Sequence, residues 1–237
     1  MTRHRPTYLL RLAAALAAVP ALLAACTGDG VVPTIPPLSD APATPTPAAS
    51  HPGPTYPAGC PTEQPAALAA DDVRNVTIKT DKGDIVIEIK GSLSPIATGN
   101  FVALADCGYY DGVVFHRVVP GFVIQGGDGQ FGRSPDVIPG LVGTGGPPYT
   151  IQDEPVTAPY GRGVVAMART AEPDSVGSQF FIVLTDEAQA PLHDANTYQI
   201  IGSVTSGMEA VDAIAAAADQ EIPTNPVVMT SVTVATP

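Results

Sequence analysis

The chain contains no tryptophan and few basic residues. Its 11 lysines and arginines are outnumbered by 23 aspartates and glutamates, which gives a formal net charge of −12. Nucleic acids and anionic lipid headgroups attract basic surfaces. This charge balance therefore argues against nucleic-acid binding and against electrostatic docking on a membrane.

Patterns typical of several common functions are missing as well. The four histidines have no metal-ligand spacing, so no metal site is predicted. The glycine pattern from Gly127 to Gly132 is followed by Pro135 and Pro139 rather than by a helix, which excludes a dinucleotide-binding fingerprint. Ser178 lacks the G-x-S-x-G frame of a serine hydrolase.

One apolar run stands near the start of the chain. Leu12 to Leu23 follows a basic head and is too short to span a bilayer comfortably. It closes on LAAC, which resembles a bacterial lipobox, so residues 1–26 are predicted to be a lipoprotein signal with the lipid on Cys26. An ordinary secretory signal, with Cys26 incidental, is the alternative. The prediction implies an exported domain that is lipid-anchored to the bacterial cell membrane, outside the cytoplasm.

Residues 27–72 are predicted to form a disordered tether. Their composition shifts to proline, threonine, alanine and serine, with few large apolar side chains to offset the conformational entropy of folding. If Cys26 carries lipid, Cys60 and Cys107 remain as an even pair in an oxidising setting. A disulfide between them and two free thiols are both open at this point.

The folded part, residues 73–237, consists mainly of short segments in which apolar and polar residues alternate. Helices are predicted to begin at Pro95, with Ser94 as the N-cap, and after Ser206, where a capping box begins. Short antiparallel strands with two helices predict a closed β-barrel, a form that removes sheet edges. The predicted strands cover residues 75–80, 85–90, 113–118, 122–125, 164–168, 180–184, 199–204 and 227–234.

Two segments carry a specific resemblance. The first is FHRVVPGFVIQGGD, residues 115–128, and the second extends from MART, residues 167–170, to GSQFFI, residues 177–182. Both resemble the signatures of the cyclophilins, the peptidyl-prolyl cis-trans isomerases, in the same order and at the right distance. The resemblance covers nearly all of residues 73–235. It implies a mainly β fold, a closed eight-stranded antiparallel β-barrel capped by two α-helices.

The resemblance also assigns the catalytic residues. Arg117 would be the catalytic hydrogen-bond donor, Gln125 would orient it and the substrate carbonyl, and Phe122 would belong to the proline pocket. The sequence adds one argument, because Arg117 stands between Phe115 and Val118, where an idle charge would be costly. A surface ion pair is the alternative interpretation of Arg117.

The remaining site residues come from the same resemblance. Val123 stands where methionine is usual in the family, and Arg169 where many members have asparagine. The tryptophan that eukaryotic members place just before the pocket leucine is missing, and Pro191 lies nearest. The residues predicted to bind substrate are Val123, Gly143, Ala168, Arg169, Gln179, Phe181, Leu192 and Tyr198.

The predicted reaction needs no nucleophile, metal or cofactor. Rotation about an X-Pro bond breaks no bond, but it faces a barrier of about 18–20 kcal/mol. In the twisted state the imide nitrogen gains a lone pair, so a fixed donor aimed at it stabilises that state selectively. We therefore expect a monomeric prolyl isomerase that acts on proline-containing polypeptides and assists the folding of exported proteins. A non-catalytic proline-peptide-binding chaperone on the same fold is the alternative.

Overall fold

The computed structural model describes residues 56–195 and 197–235 of the chain. The predicted signal with Cys26, and the predicted tether up to residue 55, lie outside these residues. Within them, the chain forms eight strands and three α-helices. The strands are β1 (Val73–Thr80), β2 (Gly83–Lys90), β3 (Arg117–Val119), β4 (Val123–Gly126), β5 (Val164–Met167), β6 (Phe180–Val183), β7 (Ile200–Ser206) and β8 (Ser231–Ala235). The helices are α1 (Pro95–Asp106), α2 (Gln189–Ala195) and α3 (Met208–Ala217).

The strands form one antiparallel sheet in the order β3-β4-β6-β5-β7-β2-β1-β8. A closed barrel, as predicted, would require β3 and β8 to pair with each other. Within the described residues the chain leading into β3 makes only an isolated bridge, between Val114 and Val228, and a hydrogen bond from Phe115 N to Val227 O. The sheet is therefore eight-stranded and antiparallel, as predicted, but its closure is not confirmed.

The central strands are buried on both faces. In β6 all four residues are buried, with Phe180 and Ile182 in the interior core and Phe181 and Val183 in a second apolar cluster. Successive side chains of a strand point to opposite faces, so the run FFIV supplies both. Phe180 and Phe181 therefore face opposite ways.

Helix α1 begins at Pro95, as the sequence predicts, but its cap differs. The Ser94 side chain makes no capping hydrogen bond. Instead the two carboxylate oxygens of Glu154 accept hydrogen bonds from Ile96 N and Ala97 N, each at 2.9 Å. A carboxylate suits this position because it satisfies two unpaired N–H groups and meets the positive end of the helix dipole.

The other helices depart further from the sequence prediction. Helix α3 has Gly207, rather than Ser206, at its N-cap, because Ser206 still belongs to β7. Helix α2 is not one of the two helices that the sequence predicts. It contains Pro191 in its first turn, where the missing N–H would have no partner in any case. None of the helices in the described part of the chain is long and apolar enough to cross a lipid bilayer.

Residues 56–72, which the sequence analysis assigned to the tether, lie against the sheet and α1. Leu68 N donates to Pro95 O at 2.9 Å, and Leu68 packs on the interior core. A Cβ atom at Gly99 of α1 would lie 2.2 Å from Ala66 O, so glycine is what permits this close approach. The predicted boundary at residue 72 is therefore corrected: packed chain precedes β1.

A disulfide joins Cys60 to Cys107, the residue that follows α1. It closes a loop with a sequence separation of 47 residues. The two alternatives that the sequence left open are thus distinguished in the structure, which contains the bridge. The bridge fastens the chain before β1 to the end of α1.

Candidate active site

A cavity of about 240 Å³ opens where the ends of β3 and β4 approach α2. The hairpin register places Arg117 directly opposite Gln125, and the turn between the strands uses Gly121 at φ 70°. Val123 and Gln125 share one face of β4 because they are two residues apart. The lining residues are Arg117, Phe122, Val123, Gln125, Ala168, Arg169, Phe181, Pro191, Leu192 and Tyr198.

The floor of this cavity is apolar. Val123, Phe181 and Leu192 are buried, with exposures of 2%, 4% and 4%, and belong to the second apolar cluster. Phe122 is partly buried and packs on the same cluster. Such a floor excludes water and suits a small apolar ring, while the polar side chains lie at one edge.

Arg117 is held from two sides. Its Nε donates to Glu221 Oε1 at 2.7 Å, and its Nη1 makes a long contact of 3.5 Å with Gln125 Oε1. The Arg117 side chain is 38% exposed, so the argument that burial would make its charge costly does not hold. The surface ion pair considered as an alternative is present. The same guanidinium also lines the cavity.

Glu221 is a residue that the sequence analysis missed. It lies between α3 and β8, 104 residues after Arg117 in the chain. Its backbone oxygen accepts a hydrogen bond of 2.7 Å from Val118 N, which fixes this loop beside β3. No motif in the sequence connects the two segments, so only the folded chain reveals the pair.

Gln179 extends the polar edge into a second cavity. Gln125 Nε2 donates to Gln179 Oε1 at 3.0 Å, and Gln179 Nε2 donates to Gly143 O and Gly145 O, each at 2.9 Å. Gln179 and Gly143 line this second cavity, of about 450 Å³, rather than the first. We call the two cavities together the groove, since Gln125, Ala168 and Arg169 line both.

The loop that carries Gly143 is anchored by Asp128, whose role the sequence did not reveal. This buried carboxylate accepts hydrogen bonds from four backbone N–H groups, those of Gln130, Phe131, Gly143 and Gly145. The glycine pattern that begins beside Asp128 thus forms a turn around the Asp128 carboxylate, which also binds the Gly143 loop, and it is not a phosphate-binding loop. Gly143 has φ 93°, a conformation that favours glycine.

Arg169 stabilises the opposite wall. Its guanidinium pairs with Asp153 at 2.8 Å and donates to Thr170 O and Glu172 O. The side chain is only 10% exposed. Arg169 thereby folds the loop after β5, while Ala168 N donates to Gln179 O at 2.8 Å and keeps that loop beside β6.

Tyr198 closes the edge of the first cavity. Its ring contacts Phe181 edge-on, with centroids 5.4 Å apart. The Tyr160 hydroxyl donates to Tyr198 O at 2.9 Å, and burial raises the pKa of Tyr160 to about 12, so this donor stays protonated at neutral pH. Helix α2 brings Leu192 to the same cavity.

His116 lies behind the groove rather than in it. The ring is buried, and burial is the main reason that its pKa is lowered from the ordinary value. A Cβ atom at Gly143 would lie 3.3 Å from His116 Nε2. We interpret His116 as a neutral packing residue beneath the Gly143 loop. No group of three or more metal-ligating side chains occurs among the residues that the structure describes.

A curled antiparallel sheet with an arginine and a glutamine above an apolar cavity defines the cyclophilin-like class. The family model for the cyclophilin type peptidyl-prolyl cis-trans isomerase/CLD matches residues 75–234. This chain therefore belongs to the cyclophilin-type peptidyl-prolyl cis-trans isomerase family. It is an enzyme that isomerises X-Pro peptide bonds.

Curated relatives agree with this assignment. A probable peptidyl-prolyl cis-trans isomerase of Brucella abortus (strain 2308) is 40% identical over 157 residues, which cover 65% of this chain and 78% of that protein. Peptidyl-prolyl cis-trans isomerase B of Bacillus subtilis (strain 168) is 42% identical over 131 residues, 54% of this chain and 81% of that protein. A crystal structure of a Cryptosporidium parvum cyclophilin is similar with a TM-score of 0.58 and 28% identity, covering 70% of this chain and 99% of that one.

Proposed function

We propose that the groove binds a proline-containing polypeptide with the proline ring on the apolar floor and Arg117 at the rotating bond. The observation that carries this proposal is the placement of Arg117 and Gln125 at the edge of a cavity floored by Val123, Phe181 and Leu192. A related solved structure was determined in the presence of the dipeptide Ala-Pro, which is the ligand chemistry that this floor suits.

Arg117 has the chemistry that the rotation requires. A guanidinium has five N–H donors in a rigid plane, and it stays charged. Glu221 and Gln125 engage the Nε donor and one Nη1 donor, and within the described part of the chain the other donors make no hydrogen bond and can face the substrate. A donor aimed at the imide nitrogen binds the twisted state more strongly than the planar one, and this difference lowers the barrier. Gln125, tied to Gln179, would in turn receive the substrate backbone.

The test of this function is isomer exchange on a short X-Pro peptide, followed by NMR. Accelerated exchange is the result expected of the catalyst, whereas a non-catalytic proline-peptide binder would bind the peptide and leave its exchange rate unchanged.

Glu221 is expected to act by positioning Arg117. The Glu221→Ala variant should lower kcat several-fold and leave KM nearly unchanged, because the guanidinium would lose its fixed orientation but not its charge. Glu221→Gln keeps an oxygen that can accept from Nε, so it should retain about the wild-type kcat. Steady-state rates from NMR exchange separate kcat from KM. An exposed ion pair contributes only about 0–1 kcal/mol to stability, so the melting temperature should hardly move. Equal kcat in Glu221→Ala and wild type would contradict the positioning role.

We further propose that the enzyme is exported and lipid-anchored through Cys26, and that it works as a monomer without nucleic acid. The basic, apolar and LAAC segments support export, and so does the Cys60–Cys107 disulfide, since such bridges persist in oxidising compartments. The clients would then be other exported proteins, met outside the cytoplasm.

The anchor is testable with Cys26→Ala in the full-length chain. We expect wild-type protein to enter the detergent phase of a cloud-point separation and to incorporate labelled fatty acid. The variant should do neither, because it lacks the thiol that carries the lipid. The Cys26→Ser variant serves as a matched control and should behave like Cys26→Ala. Lipid incorporation by either variant would disprove the assignment.

A further inference from the structure

Tyr56 stands outside the part of the chain that the family model matches, which begins at residue 75. Its ring lies against Tyr109, with centroids 5.7 Å apart, and its hydroxyl donates to Pro61 O. The disulfide at Cys60 fastens this segment to the end of α1. Tyr56 is therefore a fixed side chain that this chain adds to the family domain.

Tyr56 forms one wall of a third cavity, of about 220 Å³. The other lining residues are Gly129, Gln130, Gly146, Pro147 and Pro148. An aromatic ring, two proline rings and two glycines make this lining largely apolar. The prolines have no backbone N–H, so this wall offers no main-chain donor at these two positions.

The third cavity adjoins the groove. Gln130, Gly146 and Pro147 line both the third cavity and the larger cavity of the groove. The larger cavity in turn shares residues with the cavity that contains Arg117. The three cavities thus follow one another from Arg117 to Tyr56. Gly146 N donates to Gln130 Oε1 at 3.4 Å across the shared wall.

We propose that the Tyr56 cavity is an additional subsite that binds one aromatic or large aliphatic side chain of the polypeptide substrate. The proposal rests on the proposed function, because the substrate must occupy the groove for its chain to reach Tyr56. An extended peptide advances about 3.3 Å per residue. A side chain a few residues from the proline would therefore reach the third cavity, which lies beyond the larger cavity of the groove. Because the Tyr56 cavity continues the groove, the polypeptide that occupies the groove is the occupant expected in the cavity as well.

The consequence is a preference that depends on substrate length. Short X-Pro peptides would fill only the cavity beside Arg117. Their turnover would therefore not depend on the Tyr56 cavity. Longer polypeptides with a suitably spaced apolar residue would bind more tightly. Such residues are exposed in unfolded chains and buried in folded ones, so the subsite would favour unfolded clients.

The test compares peptides of two lengths on the full-length chain and on two variants. One peptide has four residues around an X-Pro bond. Longer peptides keep that core and place phenylalanine, or asparagine as a control, three to five residues before or after the proline. In the wild type we expect one phenylalanine position to raise kcat/KM about threefold to tenfold over asparagine, mainly through KM. Tyr56→Phe should keep this gain, and Tyr56→Ala should lose it, while the four-residue peptide is turned over equally by all three.

The contrary outcomes are distinct. A phenylalanine gain of the same size in Tyr56→Ala, or no gain at any position in the wild type, would overturn the subsite. A Tyr56→Ala variant that turns over every peptide faster, the short one included, would show that the cavity holds the chain's own preceding segment, which also overturns it. If the wild type does not turn over the four-residue peptide, the proposed function itself fails.

Discussion

Substituting Arg117 by alanine is expected to lower kcat/KM for a short X-Pro peptide about 100-fold to 1000-fold, the usual cost of losing one donor aimed at a transition state. The groups left in the cavity should still bind the proline ring, because the apolar floor does not include Arg117. The loss should therefore fall mostly on kcat. NMR exchange at several peptide concentrations measures both parameters.

The fold should survive this substitution, and Arg162 provides a matched control for it. Arg117 and Arg162 have side-chain exposures of 38% and 39%, and each pairs with a carboxylate at 2.7 Å, Glu221 and Asp212 respectively. Arg162 lines none of the three cavities described above. Arg162→Ala should keep near-wild-type turnover, and its loss of stability should be at least as large as that of Arg117→Ala, because Arg162 makes two hydrogen bonds to Asp212 and one to Leu184 O. Near-full turnover by Arg117→Ala would show that another group supplies the donor.

Removing the Cys60–Cys107 bridge is expected to lower the free energy of unfolding by about 4 kcal/mol. The reason is that a link closing a loop of this length restricts the unfolded chain by that amount in the chain-entropy model. The double variant Cys60→Ser/Cys107→Ser should unfold at lower denaturant concentration, measured by equilibrium denaturation. Neither cysteine lines the cavity with Arg117, so turnover of a short peptide should persist in the folded variant.

The comparison requires that the bridge be formed in the wild type. Intact-mass analysis after thiol labelling, with and without reductant, counts the free thiols. Labelling of both Cys60 and Cys107 in protein taken from an oxidising compartment would contradict the bridge. A formed bridge with an unchanged unfolding free energy would contradict the stabilisation.

The hairpin of β3 and β4 was the part of the site that the sequence predicted best. The predicted strands 113–118 and 122–125 contain Arg117 and Gln125, and the structure pairs these two residues directly across the hairpin. These are local relations, since strand periodicity and turn chemistry depend on residues only a few positions apart. The roles of the site residues, including Phe122, Gly143 and Tyr198, came from resemblance and remain predictions.

Two predictions have a common limit: closure of the barrel is not confirmed, and residues 56–72 are packed rather than disordered. The closed barrel depended on how β3 and β8 meet, and the disordered tether on whether residues 56–72 find a surface to pack against. Composition describes a segment by itself, and it reports low apolar content for 56–72. Composition does not show that this segment contacts distant parts of the chain. Leu68 binds Pro95, Ala66 approaches Gly99, and Cys60 forms the disulfide with Cys107.

The sequence by itself determined the family, the strands that contain the site and the position of the one arginine that faces the cavity from β3. Only the tertiary structure decided that Glu221 holds Arg117, that Asp128 anchors the Gly143 loop, and that Tyr56 adds a cavity to the groove. The physical reason is distance along the chain. Glu221 is 104 residues from Arg117, and the disulfide that fastens the segment of Tyr56 joins cysteines with a sequence separation of 47. Contacts of this kind arise when separate segments are packed together, and no local pattern of residues records them.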